Sequence, residues 1–86
     1  MRYVIAVFRS RNETLYFANM LKSSGYFVSI VNTPKEAGQT CGISVKFNEN
    51  ILDIANAFLV SKPFRSFYGF FRVTFINGGR QSVERI

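Results

Sequence analysis

Tyr3-Val4-Ile5-Ala6-Val7-Phe8-Arg9-Ser10-Arg11-Asn12-Glu13 carries a strand directly into the start of a helix. Residues 3–8 form an unbroken apolar run of strand type, suited to a strand covered on both faces. Ser10-Arg11-Asn12-Glu13 then fits a capping box, in which the Ser10 oxygen accepts the Glu13 amide hydrogen and the Glu13 carboxylate reaches back. Thr14, Phe17, Ala18 and Leu21 follow at i, i+3, i+4 and i+7, an amphipathic stripe. Gly25 stands where a left-handed cap ends a helix. The spacing predicts a helix over about residues 11–24.

Outward from this unit the signals repeat. Tyr26-Phe27-Val28-Ser29-Ile30-Val31 is aromatic and β-branched, a second strand. Thr33-Pro34-Lys35-Glu36 reads as another capping box with Pro34 at the first helical position, and Gly38 ends that turn. Ile43-Ser44-Val45-Lys46-Phe47 alternates as a half-buried strand. Asn50 precedes a second helical stripe, Ile51, Ile54, Ala55 and Phe58, which Pro63 ends. Phe67 to Ile76 is a long strand, and Asn77-Gly78 is a two-residue hairpin signal that folds 81–86 back as a short edge strand.

Strand, helix, strand, strand, helix, strand is the ferredoxin-like βαββαβ order. It predicts an α+β fold, a four-stranded antiparallel sheet with both helices on one face and an extra C-terminal edge strand. Phe17, Leu21, Ile51, Ile54 and Phe58 are expected to be buried against the sheet. In the last long strand, Phe71, Val73 and Phe75 are expected to line the core while Phe70 and Ile76 project from the helix-free side. Outward apolar side chains there would be covered by a second copy, so a homodimer or higher homo-oligomer is expected. Residues 1–86 read as one domain, with its core in 3–76 and a hairpin or tail in 77–86.

Composition narrows the function. The chain has 86 residues, one Cys and no His. That excludes Ser-His and Cys-His nucleophile pairs, imidazole metal ligands, an internal disulfide and a cysteine zinc site, so no metal and no cofactor are expected. A membrane span needs about 18 apolar residues and a signal peptide roughly 7–15 before a cleavage site, and neither pattern is present. With an unpaired thiol, the expected location is cytoplasmic. Eleven Lys and Arg against five Asp and Glu give a net charge of +6, but the basic residues are scattered and form no block.

Three constellations carry candidate chemistry. Glu49 and Asp53 share a helical face at i, i+4, and acids in a first turn are there to complement the helix dipole. Tyr68-Gly69-Phe70-Phe71-Arg72-Val73-Thr74-Phe75 partly fits the aromatic motif that stacks RNA bases. It departs from that motif at Phe71 and Arg72, and it lies in the last strand rather than the third, so nucleic acid is not the expected partner. Cys41 lies in the long connection 33–42, followed by Gly42, where a bulky reagent could approach. Lys35, Lys46, Arg9 or Arg11 brought close would favour its thiolate. A lone Cys also serves commonly as a small buried hydrophobe, and the residues alone leave both readings open.

Tyr3 to Phe8 leading into a capped helix, then Thr33-Pro34-Lys35-Glu36, then Thr40-Cys41-Gly42-Ile43-Ser44-Val45-Lys46-Phe47, resembles the selenium/sulfur carrier protein-like family of small bacterial domains. The resemblance spans about residues 3–75. Its most specific part is the Thr-Pro-basic-Glu turn followed by Cys-Gly at a strand start. The family pattern has more serines where this chain has Gly38-Gln39-Thr40, and the tail after Phe75 has no counterpart. The resemblance implies that Cys41 is the carrier thiol, surrounded by Gly42, Thr40, Thr33, Pro34 and Lys35. It implies a carrier that takes sulfane sulfur or selenium from a donor protein, holds it as a persulfide or selenosulfide, and passes it to an acceptor protein. Backbone N–H groups around Gly42 would steady the anionic terminal atom. The alternative is a non-enzymatic dimeric binding or regulatory module on the same fold, which would tolerate Cys41→Ser.

Overall fold

The computed structural model describes residues 1–38 and 40–86. β1 (Arg2–Phe8) is the strand that the apolar run requires: Val4 to Phe8 have no exposed surface. It gains that cover from two antiparallel neighbours, β3 (Ile43–Phe47) and β4 (Phe67–Ile76), and from layers on both faces. β2 (Val28–Asn32) pairs with β3, and β5 (Arg80–Arg85) with β4, giving one five-stranded antiparallel sheet in the order β2-β3-β1-β4-β5. Two helices, α1 (Arg11–Ser23) and α2 (Leu52–Val60), pack on the face that carries Val4, Ala6, Phe8, Val45 and Phe47. The expected C-terminal edge strand is β5. Its register pairs Ile76 with Arg80, so the connection is Asn77-Gly78-Gly79, with both glycines at positive φ (86° and 77°) that side chains disfavour. No helix among the described residues is long and apolar enough to cross a membrane.

Local capping differs from the expected pattern wherever a distant partner competes. Ser10 accepts from the Glu13 amide at 3.3 Å, one half of the predicted box. The other half is absent, because the Glu13 carboxylate turns to Arg65 and Ser66 instead. Thr33-Pro34-Lys35-Glu36 is not a capping box. It enters a 3₁₀ turn, Lys35–Ala37, with Pro34 at its cap and no side-chain cap bond. Thr33 Oγ1 instead lies 2.5 Å from Ser44 Oγ, and Ser44 is fully buried and needs that partner. Asn50 does not cap α2: the Asn48 side chain accepts from the Asn50 amide at 3.1 Å and starts a 3₁₀ turn, Glu49–Ile51, before the helix.

The faces of β4 are opposite to the expectation. Phe70 packs on the helix side, its ring centre 5.0 Å from that of Phe67 and 6.1 Å from that of Phe47. Phe71 and Val73 are buried on the other side, in a second cluster with Ile5, Val7 and Ala37. Cross-strand partners share a face, and Phe71 opposes Ile5 while Val73 opposes Tyr3, so the register with β1 fixes the direction. Phe75 is 45% exposed rather than in the core. Ile51, Ile54 and Phe58 are only partly buried, because α2 is short and lies at the rim. Ile76 is exposed, but the helix-free face is covered over Ile5 and Val7 by Ala37 of the 3₁₀ turn and by Tyr68. Phe70 therefore does not project from the helix-free face, and the apolar patch expected there around it is not present among the described residues.

Candidate functional site

Cys41 stands between the 3₁₀ turn and β3, half-buried. Its Sγ lies 3.5 Å from Thr14 Oγ1 and 3.5 Å from the Ile43 carbonyl oxygen. Thr14 is in the first turn of α1 and fully buried, and its hydroxyl also lies 2.9 Å from the Ser10 carbonyl. A hydroxyl has one proton. While Thr14 donates to Ser10, it can only accept from the thiol, and the single S–H is offered to Thr14 and Ile43. Once the sulfur has lost its proton, the Thr14 hydroxyl can turn and donate to it. Thr14 was legible only as one position of the helical stripe, and nothing local in the sequence ties it to residue 41.

The other expected site residues divide into two groups. Thr40 and Gly42 frame the thiol: the Thr40 hydroxyl accepts from the Gly42 amide at 3.1 Å, and Gly42 has a φ of 96°, which favours glycine. The Gly42 carbonyl accepts from the Thr33 amide at 2.9 Å, closing the loop. Because its N–H is already donated to Thr40, the Gly42 amide is not the free donor expected for a terminal anion. Pro34 and Lys35 belong to the 3₁₀ turn, and neither supplies a polar contact to the sulfur. Gln39 lies outside the described residues. Of the cations expected near Cys41, Lys46 sits 4.4 Å above the Tyr3 ring and Arg9 4.9 Å above the Tyr68 ring.

One carboxylate, Glu13, braces the helix turn at this site, and a second, Glu49, lies at the other end of the sheet. Glu13 Oε1 accepts from the Ser66 hydroxyl at 2.5 Å and the Ser66 amide at 2.8 Å, while Oε2 accepts from the Arg65 amide at 3.1 Å. Ser66 Oγ in turn accepts from the Ser10 amide at 3.1 Å. The Ser66 hydroxyl, above all, and the two backbone N–H groups hold the Glu13 carboxyl below its ordinary value, against the opposing effect of burial. This network fixes the first turn of α1, with Thr14 on it, against the chain entering β4. Glu49 forms no pair with Asp53. Arg72 donates to it through Nε and Nη2, at 2.9 and 2.8 Å, Arg2 approaches to 3.4 Å, and the Arg72 bonds hold its carboxyl low. Arg72 also reaches Glu84 at 3.4 Å, so the cluster ties β4 to β5 and to the start of α2, a structural role.

The partial RNA motif does not form a base-stacking platform. Phe71 is buried, Phe70 faces the helices, and Tyr68 lies beneath arginines. Residues 3–66 match the model of the family described as Putative Se/S carrier protein-like. No curated protein and no solved structure matches the chain.

Proposed function

The chain belongs to the Se/S carrier protein-like family, and from that membership we propose that it carries sulfane sulfur or selenium on Cys41. The observation that supports this most is the setting of the chain's one thiol. Cys41 is half-buried, and its sulfur lies beside the Thr14 hydroxyl and the Ile43 carbonyl, at the end of the sheet where β1 passes into α1. The strand order β2-β3-β1-β4 supports a ferredoxin-like reading of the frame, with both helices spanning connections between parallel strands.

Loading is a displacement at sulfur. The Cys41 thiolate attacks the outer sulfur of a donor persulfide, a new S–S bond forms at Cys41, and the donor S–S bond breaks with the donor leaving as thiolate. The thiol proton goes to solvent or to that leaving group, and no net oxidation occurs. Unloading is the same step in reverse: an acceptor thiolate attacks the outer atom and Cys41 leaves as thiolate. Selenium follows the same bookkeeping as a selenosulfide. Within the site, Thr14 donates to the anionic sulfur while it attacks and leaves, and Ile43 accepts the S–H at rest.

The test is mass spectrometry of the folded chain. Exposure to a small-molecule persulfide should add one sulfur, ~32 Da, at Cys41, and iodoacetamide should alkylate the same residue without denaturant. Cys41→Ser should abolish the adduct and leave thermal unfolding nearly unchanged. Thr14→Val should slow sulfur uptake while the adduct still forms. Alkylation that proceeds only after unfolding would show Cys41 to be a core filler and end the carrier reading.

A further inference from the structure

Two guanidinium groups rest on one tyrosine. Arg9 Cζ lies 4.9 Å from the Tyr68 ring centre and Arg85 Cζ lies 4.7 Å from it. Arg85 also lies 5.8 Å from the ring centre of Phe71, and its Nη2 donates to the Tyr68 carbonyl. Gly69 provides the space: a Cβ there would stand 2.8 Å from Arg85 Nε. The guanidinium is thus held over Tyr68 by a gap, two rings and a carbonyl. Neither arginine has a carboxylate partner among the described residues, where the ion pairs are made by Arg2 and Arg72 and occupy Glu49 and Glu84. A stacked guanidinium keeps N–H edges free for a carboxylate, and being held in place lowers the entropy lost on pairing.

The cluster adjoins the segment that leads to Cys41. A Cβ on Gly38 would stand 3.4 Å from the Tyr68 hydroxyl, and the preceding Ala37 is buried in the same cluster as Tyr68 and Phe71. Tyr68, Gly69 and Arg85 all lie beyond the residues matched to the family. β5 delivers Arg85 to this face.

We propose that Arg9 and Arg85, mounted on Tyr68, form a docking surface for an acidic segment of the protein that exchanges sulfur or selenium with Cys41. The identity of that partner rests on the carrier reading; the anion-binding surface itself does not. Charge complementarity selects an acidic peptide: the chain carries +6, and each guanidinium can take one carboxylate through two N–H groups. Nucleic acid fits less well, because Tyr68 carries two guanidiniums and Tyr3 the Lys46 ammonium where bases would stack.

Arginine Nε and tyrosine ring signals of the full chain can be followed by NMR at constant ionic strength. The probes are a short capped peptide of alternating Glu and Gly, its Gln counterpart, and a short oligothymidine. The Glu peptide should shift the Arg9, Arg85 and Tyr68 signals saturably, and the Gln peptide should not. The double variant Arg9→Gln/Arg85→Gln should bind the Glu peptide about tenfold more weakly, as expected for the loss of two exposed charge contacts. Arg85→Lys, which keeps the charge but loses the two-pronged guanidinium, should fall between. Shifts spread evenly over all the Lys and Arg residues, or tighter binding of oligothymidine at these same groups, would overturn the proposal. Cys41→Ser should keep peptide binding, and the double variant should react at Cys41 with uncharged iodoacetamide at the wild-type rate. Failure of the thiol chemistry and failure of the surface therefore appear in different variants.

Discussion

Replacing Glu13 tests the frame that holds the thiol site. Three hydrogen bonds end on this carboxylate, at 2.5, 2.8 and 3.1 Å, from residues more than fifty positions away. A hydrogen bond to a charged acceptor contributes about 1.5–3 kcal/mol when sheltered. Glu13 is half-exposed, so water competes and the three do not add in full. Glu13→Ala should therefore cost about 2–3 kcal/mol in urea unfolding, near the value of one or two sheltered bonds. Glu13→Gln keeps the shape but turns an NH₂ toward one of the donors, and should cost about 1–2 kcal/mol. The two also differ in pH dependence. The folded carboxyl titrates below its ordinary value of 4.5, so its contribution is fully present above that value. It disappears as the pH falls through the lower, folded value. The stability gap between wild type and Glu13→Gln should thus be full at neutrality and close in acid. Glu49 is shifted the same way by Arg72 but is present in both proteins, so it cancels in the difference. A gap that stays constant from neutrality to well below pH 4.5 would refute the reasoning, since it would mean that the charge of Glu13 does not matter.

Two more perturbations probe the core and the arginine cluster. Phe8 has no exposed surface and touches the rings of Phe17, Phe64 and Phe67 at 5.3, 5.4 and 5.3 Å between centres, so Phe8→Ala should cost about 3–5 kcal/mol. Phe58 is partly buried against Tyr26, and Phe58→Ala should cost about half as much in the same urea measurement; equal costs would contradict the burial difference. Gly69→Ala places a methyl 2.8 Å from Arg85 Nε, so the guanidinium must shift on Tyr68. The Tyr68 ring resonances should then move, and an unchanged ring spectrum would show that Arg85 is not stacked there.

The elements that were legible in the sequence are those written in local signals. The run 3–8, the stripe Thr14-Phe17-Ala18-Leu21 with Ser10 before it, and the Asn77-Gly78 turn each name their own structure, and β1, α1 and the β4–β5 hairpin follow them. The faces of β4 were not legible. Phe70 and Phe71 are adjacent and both apolar, so alternation has no direction until the register with β1 supplies one. Capping was legible only in part for a related reason. Glu13, Thr33 and Asn50 sit in sequence patterns that predict local bonds, but in the first two cases a partner from another strand or loop takes the side chain.

The position of Cys41 shows the same division at the scale of the site. That it lies in a loop before a strand follows from Gly38, Gly42 and the alternation after them. What its sulfur touches depends on the first turn of α1, where Thr14 projects. That turn is fixed in place by Glu13 and Ser10 holding Ser66, at the end of the family match and immediately before β4. β4 in turn lies beside β1 with Phe71 and Val73 packed in one cluster with Ile5 and Val7 on the helix-free face. The thiol's surroundings are therefore set by three contacts between segments far apart in the chain, none of which leaves a periodic trace in the sequence. A perturbation of Ser66 should then reach the Cys41–Thr14 contact more strongly than one at Thr40, although Thr40 is its neighbour in sequence: Ser66 positions the turn that carries Thr14, whereas the bond of Thr40 among the described residues is to the Gly42 amide.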